Sequence, residues 1–523
     1  MAVEQVLVAG GWRDANSKST FHAENPATGA PLEGEFPVSE WKDCDDALTA
    51  AAGAAKQLRT VPAERLADFL ELYAKKIEEN APALVERANA ETGLAIAPRL
   101  KDNELPRTAT QLRQGAAAAR EGSWTHATID TKLNIRSHFA PIGPVAVFGP
   151  NNFPFAFNGV SGGDFTAAIA TGNPVIAKAH PLHPGTSKLL AECAVAALAE
   201  SGLPPATLQM LYHIGNRDGL RLVSDARIGA SSFTGSRKGG LALKAAADTA
   251  GRPIYLEMSS LNPVVLLPGA LAERGEQLAT ELADSCLMAS GQMCTSPNLI
   301  FAMAGEDADR LAANLTGILE KRPPAPMLSA GGLKGLDESV QALIDAGAEV
   351  ATGGEPLGVE GCRYKNTLLR TTAKQFLAEP ERLQREAFGN ATMLVTAEDA
   401  AQLQQAIAAL EGNLTGSIYS SAAGADDAMY AEIAGELRPK VGRLLNDKAP
   451  TGVALSPAMN HGGPYPATAH PGFTAVGIPA SLVRFGALQC YDNVRPQRLP
   501  PALQDKPPNA AMWRRIDGNW TRG

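Results

Sequence analysis

The sequence predicts an α/β fold built as two successive units joined by short loops. Three observations carry this. From Pro141 onward, short apolar runs alternate with helical periods, the pattern of a mostly parallel sheet covered by helices on both faces. A second unit of the same kind follows Cys294. The 50 Gly and 37 Pro among 523 residues supply the tight turns that short connections need.

The elements follow in order. In residues 62–79, Leu66, Phe69, Leu70, Tyr73 and Ile77 fall at helical spacing, and Pro62 suits a first turn. Residues 81–90 continue as helix toward Glu91-Thr92-Gly93, so the N-terminal region reads as a helical layer. Residues 129–139 alternate through Leu133 and Ile135, as an extended segment or hairpin arm. Strands are predicted at 145–148, 175–178, 208–212, 230–233, 254–257 and 264–267. Helices are predicted at 162–171, 186–200, from Ser236 to about 247, and at 277–289. In the second unit, 299–302 and 350–352 read as strands, and 307–320 and 401–410 as helices. Residues 448–477 form a long Pro/Gly-rich irregular segment, a type that is often functional. The final stretch, rich in Pro and Arg, reads as a surface tail. No internal repeat or low-complexity tract is present.

Bulk properties narrow the function classes. The length implies two or three domains, and 45% apolar with 20% charged residues is ordinary globular composition. A net charge of −8, spread along the chain, argues against an obligatory nucleic-acid partner, which needs clustered Lys and Arg. The six cysteines lie far apart with no CxxC, which fits reduced thiols of a cytoplasmic protein better than a disulfide framework. Met1-Ala2-Val3-Glu4 lacks a basic n-region and no long apolar run follows, so neither a signal peptide nor a membrane span is expected.

Three residues supply the chemistry. Cys294, in Gly291-Gln292-Met293-Cys294-Thr295, has a polar context and a predicted helix running into its loop. A nucleophilic cysteine needs a pocket that favours thiolate, often near a helix terminus. Its neighbour in sequence, Cys286, sits within that helix and reads as packing. Glu257 ends the apolar run Ile254-Tyr255-Leu256, where a buried carboxylate needs a partner or a task. It suits a general base. Asn152, in Gly149-Pro150-Asn151-Asn152-Phe153-Pro154, reads alone as a turn residue, and as an amide donor to an oxyanion in this company. Together these are a thiol nucleophile, a base and an oxyanion donor, a set that attacks a carbonyl and hydrolyses a thioester.

A cofactor site is marked more diffusely. Gly235, Ser236 and Gly240 lie in Thr234-Gly235-Ser236-Arg237-Lys238-Gly239-Gly240, after a strand and at the start of a helix, where glycines let a helix N-terminus approach a pyrophosphate. Lys178 closes the run Val175-Ile176-Ala177. Two other motifs are set aside. His180-Pro181-Leu182-His183-Pro184 is a rigid loop without further ligands, so no metal is expected. His461-Gly462-Gly463 echoes an esterase oxyanion loop but lacks a Gly-x-Ser-x-Gly elbow.

In this order, over about residues 1–500, the motifs resemble those of the aldehyde dehydrogenase superfamily. The resemblance implies a Rossmann-type cofactor domain (1–122 and 142–257), a second α/β catalytic domain (258–479), and a small oligomerisation arm with the C-terminal tail (123–141 and 480–523). It implies that Lys178 lies near the adenosine ribose, and that Glu386 and Phe388, in Glu386-Ala387-Phe388-Gly389, hold the nicotinamide ribose and ring. NAD-preferring members often carry Glu where this chain has Pro181, so NADP is expected, with NAD as the alternative. The chain departs from the family at Asn151, where Trp is usual, after Glu257, where Leu-Gly-Gly is usual, and at Asn390, where Pro is usual. Residues 459–466 and 484–489 resemble the α-ketoglutaric semialdehyde dehydrogenase branch, itself similar to NADP-dependent long-chain fatty aldehyde dehydrogenases. A homodimer or dimer of dimers is implied. CoA-acylating relatives normally lack the base glutamate, and Glu257 argues against that class. Which residue grips a substrate carboxylate is not named by any motif.

Overall fold

Five short runs, all but Ala230–Thr234 mostly apolar, lie side by side and parallel in the order Ile254–Glu257, Ala230–Thr234, Val145–Phe148, Val175–Lys178 and Leu208–Leu211. Nearly all their residues are buried, as strands covered on both faces must be. Helices Gly163–Ala170, Pro184–Ser201, Asn216–Val223 and Arg237–Thr249 make the crossovers. The computed structural model describes residues 2–522.

From Val145–Phe148 the chain winds outward through two strands, then returns to place Ala230–Thr234 on the other side. Ligands of such sheets bind beyond the carboxyl ends of the strands, at this reversal. The register puts Phe148 beside both Phe233 and Lys178, and Thr234 beside Glu257. One rim therefore presents Lys178, Thr234 and Glu257.

The N-terminal region is not purely helical. Val6–Val8 and Gly11–Arg13 extend the first sheet antiparallel at its edge. Ser17–Phe21 and Phe36–Ser39 join His213–Ile214 in a small sheet, and Trp41–Leu58 is a helix. The two edge strands are three residues each, too short to show a period-two pattern in sequence. Helices Ala63–Glu79 and Ala81–Thr92 form the expected layer, which a further helix, Leu105–Glu121, extends, and Phe165 of Gly163–Ala170 meets Phe69 and Tyr73 edge-to-face.

The second sheet runs Glu349–Thr352, Thr367–Thr372, Ala391–Ala397, Leu299–Met303, Val264–Leu266, Asn413–Tyr419 and Val441–Asn446, parallel apart from its first strand. Thr367–Thr372 and Asn413–Tyr419 escape sequence reading because Thr, Ser, Gly and Asn fill them, although the latter is buried throughout. A third sheet pairs Ile135–Pro141 with Thr128–Asp130 and with Gly486–Asp492. The C-terminal stretch joins it and is no loose tail. Arg514–Ile516 and Asn519–Thr521 form a hairpin there, and the fully buried Arg514 donates to the Asp505 carbonyl at 3.0 Å. Residues 448–477 contain no helix or strand, as expected, and run against Glu257: Met258 N donates to the Ala467 carbonyl at 2.7 Å. No helix among the described residues is long and apolar enough to cross a membrane.

Candidate active site

The cysteine loop is fixed by its backbone. Helix Pro268–Leu287 ends in a tight turn in which Ala289, Ser290 and Gly291 are all left-handed, at φ 52°, 54° and 68°. A Cβ at Gly291 would lie 2.0 Å from the Gly389 carbonyl oxygen, so only glycine fits. Asn262 Nδ2 donates to the carbonyls of Cys294 and Ser296, each at 2.9 Å, and Gln292 Oε1 accepts from Leu328 N at 2.9 Å.

The Asn152 loop is held from the helical layer. The buried Glu104 carboxylate accepts from Phe155 N at 2.8 Å and Ala156 N at 3.0 Å, and pairs with Arg99. Arg99 donates to the Asn152 carbonyl at 3.0 Å and lies 4.4 Å over the Phe153 ring. Asn152 Nδ2 donates to the Gln292 carbonyl at 2.9 Å, which brings the amide to the cysteine loop. His183 braces the same loop by donating from Nε2 to the Pro150 carbonyl at 3.0 Å, which accounts for one histidine of the His-Pro-Leu-His-Pro motif.

His461 completes the arrangement. Its Nε2 lies 3.5 Å from Cys294 Sγ and 3.1 Å from Glu257 Oε1. The second contact is close but not aligned as a hydrogen bond, since neither Glu257 oxygen has a hydrogen-bond partner. His461 and Glu257 are each 2% exposed. The His-Gly-Gly motif set aside above is thus no esterase loop but a wall of this site. The signal that pointed to it was its place in the long irregular segment. The ligand atoms of Glu257, Cys294 and His461 lie within 4.8 Å of one another, a set also capable of holding a metal ion.

The electrostatics correct one expectation. Burial, with Glu257 and then Glu386 adding like charge, pushes the Cys294 thiol well above its ordinary range, while Arg107 pulls it down. The site thus favours the thiol over a preformed thiolate, which calls for a proton acceptor beside the sulfur. Burial also pushes Glu386 up to about 7 and Lys178 down to about 8.

A cavity of about 1150 Å³ opens at the rim of the first sheet. Asn152, Lys178, Gly235, Ser236, Glu257, Cys294, Glu386 and Phe388 all line it. Gly240 does not. A Cβ there would come 2.9 Å from Met258 Sδ, so this glycine lets the helix seat against the sheet. Ser236 caps that helix, its Oγ accepting from Gly239 N at 3.3 Å. Lys178 makes no ion pair among the described residues, which leaves its charge for an anionic ligand. The size and chemistry of the cavity fit a phosphate-bearing dinucleotide.

A sequence model of the aldehyde dehydrogenase family matches residues 12–438. The chain belongs to the aldehyde dehydrogenase family and is an aldehyde dehydrogenase. It is 38% identical over 508 residues to α-ketoglutaric semialdehyde dehydrogenase 2 of Azospirillum brasilense, covering 95% of each chain. It is 35% identical over 511 residues to α-ketoglutaric semialdehyde dehydrogenase of Acinetobacter baylyi, again covering 95% of each. Lactaldehyde dehydrogenase from Escherichia coli shares the fold at a TM-score of 0.79 and 22% identity, over 93% of this chain and 98% of that one. The NAD⁺ complex of an aldehyde dehydrogenase from Bacillus cereus does so at 0.80 and 20%, over 94% and 96%. His461 lies beyond the span that the family model matches.

Proposed function

We propose that the enzyme oxidises α-ketoglutaric semialdehyde to 2-oxoglutarate, with NADP preferred over NAD. The observation that carries the chemistry is the line from Cys294 Sγ through His461 Nε2, at 3.5 Å, to Glu257 Oε1, 3.1 Å further. The substrate reading is supported by the two semialdehyde dehydrogenases matched over 95% of their length.

His461 Nε2 accepts the thiol proton as Cys294 Sγ attacks the aldehyde carbon. The oxyanion that forms is held by Asn152, whose amide has a second N–H beyond the one on Gln292, and by the Cys294 backbone N–H. A nicotinamide held in the cavity would supply the hydride acceptor for oxidising the hemithioacetal to the thioester. Lys178, Gly235 and Ser236 would hold the adenosine and phosphate portion, and Glu386 and Phe388 the nicotinamide portion, with Gly240 positioning the helix. Glu257 then takes a proton from water, hydroxide adds to the thioester, and the acid leaves as the thiolate is reprotonated. The NADP preference is supported by Pro181, which puts no carboxylate where a 2′-phosphate would sit, and by the lysine nearby.

We also propose domains at 1–122 with 142–257, at 258–479, and at 123–141 with 480–523. Each centres on one of the three large sheets. A cytoplasmic homodimer, or dimer of dimers, is supported by six free cysteines and by the edge strand Gly486–Asp492, which leaves Leu488 66% exposed.

The test is initial rates with NADP and NAD on the semialdehyde and on a long-chain aldehyde. High kcat/KM on the semialdehyde with NADP is expected. Preference for the long chain would overturn the substrate reading in favour of a fatty aldehyde dehydrogenase and leave the chemistry standing. A kcat/KM much higher with NAD would overturn the cofactor preference.

A further inference from the structure

Two arginines approach Cys294 without belonging to the cofactor cavity. Arg107 stands on helix Leu105–Glu121 and Arg443 on strand Val441–Asn446, 336 positions apart in sequence. Neither lines the cavity that holds Lys178 and Glu386. Both close on one short stretch, residues 450–453. Arg107 Nη1 donates to the Val453 carbonyl. Arg443 Nη2 donates to the carbonyls of Pro450 at 2.9 Å and Gly452 at 3.0 Å. That stretch is docked on the residue after the nucleophile, with Gly452 N donating to Thr295 Oγ1 at 3.2 Å.

The charge of this pair is unspent. Neither arginine makes an ion pair among the described residues, and the oxygens they meet are neutral carbonyls. Nε and Nη2 of Arg107 are buried with no hydrogen-bond partner. The nearby Glu104 is committed to Arg99 and to two backbone N–H groups. Burial lowers the pKa of both guanidiniums; the Glu104 charge, shared with Arg99, and the Cys294 sulfur oppose this at Arg107, and the sulfur alone at Arg443. Two half-buried cations with no ion-pair partner of their own are costly unless an anion arrives. Guanidinium matches carboxylate geometry better than any other side chain.

We propose that Arg107 and Arg443 receive the distal carboxylate of the substrate while its aldehyde carbon sits at Cys294. They are specificity residues, and the ligand class is a short aldehyde with a carboxylate at its other end. The inference rests on the semialdehyde reading and deepens it by naming the groups that select the substrate.

The test compares 2,5-dioxopentanoate with pentanal, a neutral aldehyde of matched length, at saturating NADP. The wild-type ratio of kcat/KM tests the substrate reading by itself. Arg107→Met or Arg443→Met should cut that ratio by about 30-fold or more, mainly through KM for the carboxylate substrate. Arg107→Lys and Arg443→Lys, which keep the charge and serve if the Met variants fold poorly, should recover part of it. An equal loss on both aldehydes would mean that the arginines only clasp residues 450–453, and would overturn the proposal. Calorimetric binding of glutarate to the enzyme separates the two failures. If the wild type binds glutarate and the Met variants do not, the arginine site stands even where the semialdehyde is a poor substrate. If binding survives both substitutions, the site is elsewhere.

Discussion

The charged groups that act on the Cys294 thiol differ in sign on its two sides. On the cofactor side stand Glu257 and Glu386, both of which raise the thiol pKa. On the other side stand Arg107, which lowers it, and Arg443. The first side belongs to the rim of the first sheet and its cavity, the second to the helical layer and the last strand of the second sheet. The difference teaches that the nucleophile is not activated by a local excess of positive charge. Burial and carboxylates favour the thiol, so a proton has to leave during attack; His461 Nε2 lies 3.5 Å from the sulfur, and Glu257 is in the same cluster.

The largest way to break this picture is Cys294→Ala, which should cost at least about 10⁴-fold in kcat. Oxidation that survived the change would end the covalent mechanism. Next come Glu257→Gln and His461→Gln, each expected to cost about 10²–10⁴-fold in steady state. Rapid mixing should tell them apart. Glu257→Gln should keep a first burst of reduced cofactor and then stall as thioester, whereas His461→Gln should slow the burst itself. A normal burst in His461→Gln would remove histidine as the proton acceptor.

A smaller effect tests the cofactor side through pH. Lys178, at about 8, is charged below that value and neutral above it. KM for NADP should therefore rise as pH climbs through 8, by up to about tenfold per unit, and KM for NAD should rise less. Lys178→Met should flatten that difference, and a persistent one would assign 2′-phosphate recognition to another group. The smallest effect is expected at Gly240→Ala. Crowding Met258 should cost about 1–3 kcal/mol of stability in thermal melts while leaving KM for NADP within about twofold. A large rise in KM with an unchanged melt would put the cofactor against Gly240 after all.

The candidate residues of the site were legible where they sit in short motifs. Cys294, Glu257 and Asn152 each sit in a run of a few telling residues, and the structure gathers them at one rim. His461 was not legible because its meaning comes from a sulfur 167 positions away, while its own Gly-Gly neighbours suggest other chemistry. Arg107 and Arg443 sit in unremarkable stretches, and only partial burial without an ion-pair partner sets them apart. The parallel sheet around residues 145–257 was readable because its strands are apolar runs. The C-terminal hairpin was not, because its strands are short and polar and the protein buries an arginine there.

The contact between Gly291 and the Gly389 carbonyl has a mechanical consequence. The strip of backbone that carries the sulfur touches the strip that carries Phe388 main chain to main chain, with no flexible side chain between them to absorb strain. A side chain at position 291 would therefore push on both strips at once, the one that carries Cys294 and the one that carries Phe388.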